Sequence, residues 1–212
     1  MQINNIKGKF ITFEGVEGAG KSTQSKLLVE YLNKNNIEAI WTREPGGSEG
    51  AEEIRKLLIN GAINKWDGIT ELLLMYAARR DHTEKKIKPL LAQGKTVICD
   101  RYLDSTVAYQ GYGYQLDLKK IKAVQNTVLE NFKPDLTIVL DLDVKKGLER
   151  TDQRGEKNRY EDMEIEFHNR VRTGFLSIAK EDSKRVKLIN VENKTIESLN
   201  LEILETIKNN CF

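Results

Sequence analysis

Gly15, Val16, Glu17, Gly18, Ala19, Gly20, Lys21 and Ser22 satisfy every fixed position of the pattern G-x-x-x-x-G-K-[ST], and Thr23 follows. The chemistry of this octet is phosphate binding. Its glycines let successive backbone N–H groups converge on phosphate oxygens, and a helix that begins at the lysine adds partial positive charge. Lys21 is spaced to reach the β- and γ-phosphates of a nucleoside triphosphate, and the Ser22 hydroxyl is placed to hold Mg²⁺. An accidental match arises in roughly 1% of chains of this length. An apolar run before the octet and an amphipathic stretch after it lower that further.

Other groups with chemical potential stand at a distance. Thr42-Arg-Glu-Pro-Gly-Gly47 is followed by Arg55, and Asp100-Arg101-Tyr102 ends the apolar run Val97-Ile98-Cys99. An aspartate at a strand end beside a phosphate loop can orient Mg²⁺ or its waters, and an adjacent arginine can clamp phosphate. Met75 and Arg79 are four residues apart, as are Thr106 and Gln110 with Tyr109 between them, so each set shares a helix face. Every one of these groups also has a plain structural reading: a turn, a surface ion pair or core packing. What favours chemistry is that all of them fall after strands of one sheet. A charged segment with a central Gly155, residues 150–161, reads either as a solvated loop or as a lid over an anionic substrate. It carries three arginines. Arg150 suits the end of the preceding helix, Arg159 suits a solvated surface, and Arg154 stands at the tip.

The elements that must position these residues alternate. Strands are expected at Phe10–Glu14, Ala39–Thr42, Thr96–Asp100, Leu136–Asp141 and Val186–Asn190. Leu27, Leu28, Tyr31 and Leu32 mark one face of a helix starting at Lys21, and Leu72, Leu73, Tyr76 and Ala77 mark another. Strands alternating with helices predict an α/β fold with a five-stranded parallel sheet, helices on both faces and ligands at the carboxyl strand ends. A length of 212 residues fits one domain, 1–212, with the short lid. The 34 basic and 32 acidic residues leave a net charge of +2, which argues against a nucleic-acid-coating protein. No apolar run approaches the ~20 residues that span a bilayer, and the start lacks a signal-peptide core. Cys99 and Cys211 do not form a disulfide framework, so a reducing, cytoplasmic setting is expected. His82 and His168 show no metal-ligand spacing and read as ordinary surface or core residues. An N-K-x-D element, which a GTPase would use to read its base, is missing after the fourth strand.

FEGVEGAGKS at 13–22, TREPGG at 42–47, Ala77-Ala-Arg79, Asp100-Arg-Tyr102 with STVAYQ after it, and PDLTIVLDLD at 134–143 together resemble the thymidylate kinases. These are five separated motifs in order, covering most of the chain. The resemblance implies the P-loop NMP-kinase fold, transfer of the ATP γ-phosphoryl group to dTMP in dTTP synthesis, Mg²⁺ dependence and a homodimer. By position, it implies that Glu17 lies near the deoxyribose 3′-hydroxyl and magnesium, and that Arg55 and Arg101 hold the dTMP phosphate. Arg79 would meet the thymine edge, and Thr106, Tyr109 and Gln110 would surround the base and sugar. Tyr109 would crowd the 2′ side by ring bulk, a role phenylalanine would also fill. Arg154 matches the lid arginine of members whose phosphate loop lacks one. Lys21, Arg101, Arg154 and Glu17 are thus the candidate catalytic residues, with Ser22, Asp100 and Glu17 toward the metal. One departure is Met75, where the family usually stacks a phenylalanine on thymine. The competing readings are another P-loop nucleoside or nucleotide kinase and a non-catalytic nucleotide-binding protein.

Overall fold

In the computed structural model, residues 8–155 and 159–211 are described, with the side chain of Arg154 outside that description. Five strands carry the apolar runs: β1 (Phe10–Gly15), β2 (Ala39–Arg43), β3 (Thr96–Asp100), β4 (Leu136–Asp141) and β5 (Val186–Asn190). All pair in parallel, in the order β2-β3-β1-β4-β5. The three central strands, β1, β3 and β4, are buried almost throughout because both faces are covered. Ile11, Phe13, Ile98, Ile138 and Leu140 pack into one core, while Phe10, Val97 and Cys99 face the opposite one.

The helices are α1 (Lys21–Lys34), α2 (Glu49–Ile59), α3 (Gly68–His82), α4 (Lys88–Ala92), α5 (Leu103–Thr106), α6 (Leu118–Leu129), α7 (Val144–Arg154), α8 (Ile165–Glu181) and α9 (Ile196–Cys211). A π-helical stretch, Thr83–Ile87, joins α3 to α4, and another, Val107–Gly113, continues α5. Leu28 and Leu32 of α1 and Ile203 and Ile207 of α9 pack on the first face. On the opposite face, α3 and α6 pack at β1 and β3, and α8 packs at β4 and β5. Chain order reverses at β1, whose neighbours are β3 and β4. The crevice at the carboxyl ends of β1 and β3 is where such a sheet binds its ligand.

Two expectations need correction. The α3 face expected from Leu72, Leu73, Tyr76 and Ala77 splits. Leu72 and Tyr76 are buried, but Leu73 is 55% exposed and Ala77 is exposed as well. α3 instead turns the polar Glu71 and Arg79 inward, and adjacent positions 100° apart on a helix do not all follow them. The charged segment expected to leave the helical pattern at residue 150 remains helical to Arg154, and Gly155 ends the helix at φ +83°. Asp143 caps α7 by accepting the N–H groups of Lys145 and Lys146, and Val144 and Thr151 are buried beneath it. Packing on that face holds a helix that composition alone reads as loop.

Candidate active site

The phosphate loop leaves β1 and bends back over the sheet. A Cβ on Gly15 (φ +132°) would lie 2.3 Å from the Leu140 carbonyl oxygen, and one on Gly18 (φ +68°) would lie 2.2 Å from that of Gly147. Only glycine fits at either place, so the loop rests directly on β4 and α7. Val16 and Ala19 are buried beneath it. Lys21 opens α1, is 7% exposed, and donates to the Val16 carbonyl at 2.7 Å. Burial, reinforced by the charge of Arg101, brings its ammonium down to about 8. Ser22 donates through Oγ to Asp100 Oδ2, so the loop hydroxyl and the β3 carboxylate share one spot.

Glu17 and Arg101 form a second pair, between the tip of the loop and the end of β3. Arg101 Nη2 donates to Glu17 Oε1 at 3.1 Å, its Nη1 donates to the Gly15 carbonyl at 3.0 Å, and Tyr109 OH donates to the same Glu17 oxygen at 2.5 Å. Burial alone would raise the Glu17 carboxyl. Arg101 and Lys21 outweigh it and hold the group below the usual carboxylate range. The other oxygen, Oε2, is buried without a hydrogen-bond partner among the described residues and lies 3.7 Å from Nδ1 of the buried His168 on α8. His168 is thus a core residue against the phosphate loop. His82 is buried too, between Glu44 and Thr42. Among the described residues, no cluster of three or more His, Cys, Asp and Glu is placed to hold a metal, and both cysteines are free.

Arg101 takes φ +69°, a left-handed conformation costly for a side chain of its size. Glu14, at the end of β1 and fully buried, holds the turn that follows. It accepts the N–H of Tyr102 at 2.7 Å and the hydroxyl of Ser105 at 2.5 Å. Burial, with the charge of Asp104 adding, pushes the Glu14 carboxyl up to about 8. Arg79 on α3 is 2% exposed. It donates to Glu44 Oε2, Thr106 Oγ1 and the Tyr102 carbonyl at 2.7, 2.7 and 3.0 Å. Arg55 on α2 donates to the Pro45 carbonyl at 2.7 Å, across the cis Glu44–Pro45 bond of TREPGG.

A cavity of about 660 Å³ joins these groups. It is lined by Glu17, Gly18, Gly20, Lys21, Ser22 and Thr23 of the loop and α1, by Asp100 and Arg101 after β3, and by Arg55, Met75, Arg79, Thr106, Tyr109 and Gln110. Every expected site residue therefore lines it, save Gly15, Val16 and Ala19, and Arg154, whose side chain lies outside the description. Arg150 lines it as well and donates to the Gly18 carbonyl at 3.3 Å, tying α7 to the loop. Arg159 corrects the expectation of a solvated charge: it is 3% exposed and ion-paired with the buried Glu71. Tyr160 and Glu161, which follow it, line the cavity. Composition does not reveal Glu14, Glu44, Glu71 and Tyr160. For the first two, the available signal is an acid set inside a motif at the end of an apolar strand.

The chain matches the family model for thymidylate kinase over residues 13–203. It is 50% identical over 186 residues to a thymidylate kinase of Caulobacter vibrioides, covering 88% of this chain and 89% of that one. Against one from Wolbachia pipientis wMel, identity is 46% over 203 residues, covering 93% and 99%. The crystal structure of thymidylate kinase from Ehrlichia chaffeensis superposes with a TM-score of 0.76 at 38% identity, covering 95% of this chain and 98% of that one. With a family model spanning almost all of the sheet and its helices, and relatives this similar over nearly their whole length, the chain belongs to the thymidylate kinase family.

Proposed function

We propose that the chain transfers the γ-phosphoryl group of ATP to the 5′-phosphate of dTMP, giving dTDP and ADP. The observation that carries this reading is that two sets of groups share one cavity. It is lined by the phosphate loop and also by Arg55, Arg79 and Arg101. In the step itself a phosphate oxygen of dTMP forms a bond to the γ-phosphorus, and the bond to the β,γ-bridging oxygen breaks with its electron pair leaving on ADP. Positioning and charge neutralisation supply most of the catalysis in such transfers. Arg55 and Arg101 hold the acceptor phosphate, and Lys21 serves the β/γ region. Arg101 also aligns Glu17 toward the sugar, and Arg154 supplies a further cation from the end of α7.

Ser22 and Asp100 offer two hard oxygen donors at one point, with Glu17 lining the same cavity, and this set suits Mg²⁺, which keeps several waters of its own. When bound, the ion neutralises the β- and γ-phosphate oxygens. Met75, Arg79, Thr106, Tyr109 and Gln110 form the base and sugar end. We read residues 1–212 as one kinase domain whose lid follows α7, acting on small nucleotides rather than nucleic acid. Exposed Ile69 and Leu73, one turn apart on α3, and Leu57 on α2 support a homodimer through this face. Among the described residues no helix is long and apolar enough to cross a membrane. Two free cysteines fit the cytoplasm, the setting we propose.

A coupled ADP-release assay with dTMP, dUMP, dCMP and thymidine tests the reading. dTMP is expected to be the preferred acceptor; a preference for thymidine would make the chain a nucleoside kinase instead.

A further inference from the structure

Glu71 sits in the first turn of α3 with no exposed surface, and three donors converge on its carboxylate. Gln110 Nε2 donates to Oε1 at 2.7 Å, Tyr114 OH donates to Oε2 at 3.2 Å, and Arg159 Nη2 donates to Oε2. Arg159 is itself held at each of its three nitrogens. Its Nε donates to the Leu58 carbonyl at 2.5 Å and its Nη1 to that of Ile63 at 3.0 Å. A carboxylate paired with a guanidinium only accepts hydrogen bonds. The end of the Gln110 amide that faces Glu71 is therefore its amino end, as a matter of chemistry rather than of atom assignment. Gln110 is 1% exposed, yet it lines the cavity beside Met75, Thr106 and Tyr109. With the amino end turned to Glu71, the carbonyl oxygen at the other end of the amide is free to face a ligand.

We propose that Glu71 is a positioning residue for base selection: by pinning the Gln110 amide, it presents a hydrogen-bond acceptor to the base edge. That favours a pyrimidine with a ring N–H at position 3, such as thymine or uracil, over cytosine, whose N3 is itself an acceptor. The inference rests on the reading that a pyrimidine nucleotide occupies the cavity. Arg159 keeps the arrangement polarised, because its guanidinium donates to one carboxylate oxygen while the other accepts from Gln110. Two acceptors facing each other in a dry pocket leave both unpaired, which is how a hydrogen-bonding site rejects an analogue strongly. A purely architectural Glu71–Arg159 pair would affect stability and leave base preference alone.

Glu71→Gln separates the two roles. The new amide oxygen is drawn to Arg159, so its amino end faces Gln110, and Gln110 must turn its own carbonyl inward and its amino end toward the pocket. The site then donates where it had accepted. Measured as kcat/KM, the dTMP:dCMP ratio is expected to fall at least about tenfold, with dCMP rising in absolute terms. A ratio within about twofold of wild type, or a parallel loss on both substrates, overturns the proposal. Should Glu71→Gln fail to fold, the double variant Glu71→Leu/Arg159→Met removes both buried charges together and leaves the Gln110 amide free to turn either end to the pocket. It is expected to narrow the ratio similarly, and an unchanged ratio there also overturns the proposal. Wild-type protein without activity on dTMP would defeat the parent reading instead, so the two failures are distinct.

Discussion

Glu14 Oε1 accepts the backbone N–H of Tyr102 at 2.7 Å, so the buried end of β1 holds in place the turn that carries Arg101 at φ +69°. Glu14→Ala leaves the N–H groups of Tyr102 and Ser105 buried and unpaired, at a cost of about 1–3 kcal/mol each. It should also lower kcat, because Arg101 loses the support for its strained backbone. Glu14→Gln keeps an acceptor for both N–H groups and should retain most of the activity.

The same carboxyl gives a pH signature. In the fold it keeps its proton up to about pH 8, whereas in the unfolded chain it ionises in the usual carboxylate range. Between those limits the native state binds more protons than the unfolded state, so stability falls as pH rises. Its full contribution to the slope is ~1.4 kcal/mol per pH unit. Urea midpoints from pH 5 to pH 8 should therefore decline more steeply in wild type than in Glu14→Gln. Parallel slopes would mean that Glu14 ionises normally inside the fold.

Tyr109 does more than fill space, contrary to the expectation that phenylalanine would serve. Its hydroxyl donates to the carboxylate of Glu17 at 2.5 Å, and a hydrogen bond to a charged group contributes about 1.5–3 kcal/mol. Tyr109→Phe is expected to lower kcat/KM for dTMP by about tenfold or more. Tyr109→Ala should in addition admit ribothymidine monophosphate, since the ring that we propose lies beside the sugar is gone. Kinetics of the Phe variant indistinguishable from wild type would show that the hydroxyl contact is idle.

Lys21 has an ammonium brought down to about 8 by burial and by Arg101. Anionic phosphates arriving beside it push that value back up, so ATP binding near pH 8.5 should take up a fraction of a proton. Binding calorimetry in buffers of different ionisation enthalpy measures this directly. Affinity should weaken as pH rises further, because each bound nucleotide must then draw a proton from solution. Uptake that persists in Lys21→Met would assign the proton to another group.

Arg154 ends α7 just before Gly155. The phosphate loop carries Val16, Glu17 and Ala19 at its variable positions, so Lys21 is its one cation. An added arginine on the transferring group contributes ~10³–10⁵ in rate in comparable enzymes. Arg154→Ala is expected to lower kcat by about a hundredfold or more while leaving dTMP affinity nearly intact. A kcat within a few-fold of wild type would shift the role to Arg150, which already reaches the loop at Gly18.

The sequence by itself determined the sheet and the phosphate loop. β3, β4 and β5 fall on their expected residues, and β1 and β2 each run one residue further, to Gly15 and Arg43. These features are legible because their causes are contiguous: unbroken apolar runs along a strand, and glycines whose backbone freedom a tight loop requires. Which charges go inside was decided only in three dimensions. Glu14 meets Tyr102, and Glu71 meets Arg159, across 88 residues in each case. A buried carboxylate is costly until it finds its donors, and no local spacing reveals a donor carried by an element that far along the chain. The same holds for α7, whose charged tail stays helical because Val144 and Thr151 are covered by neighbours that its own composition does not specify.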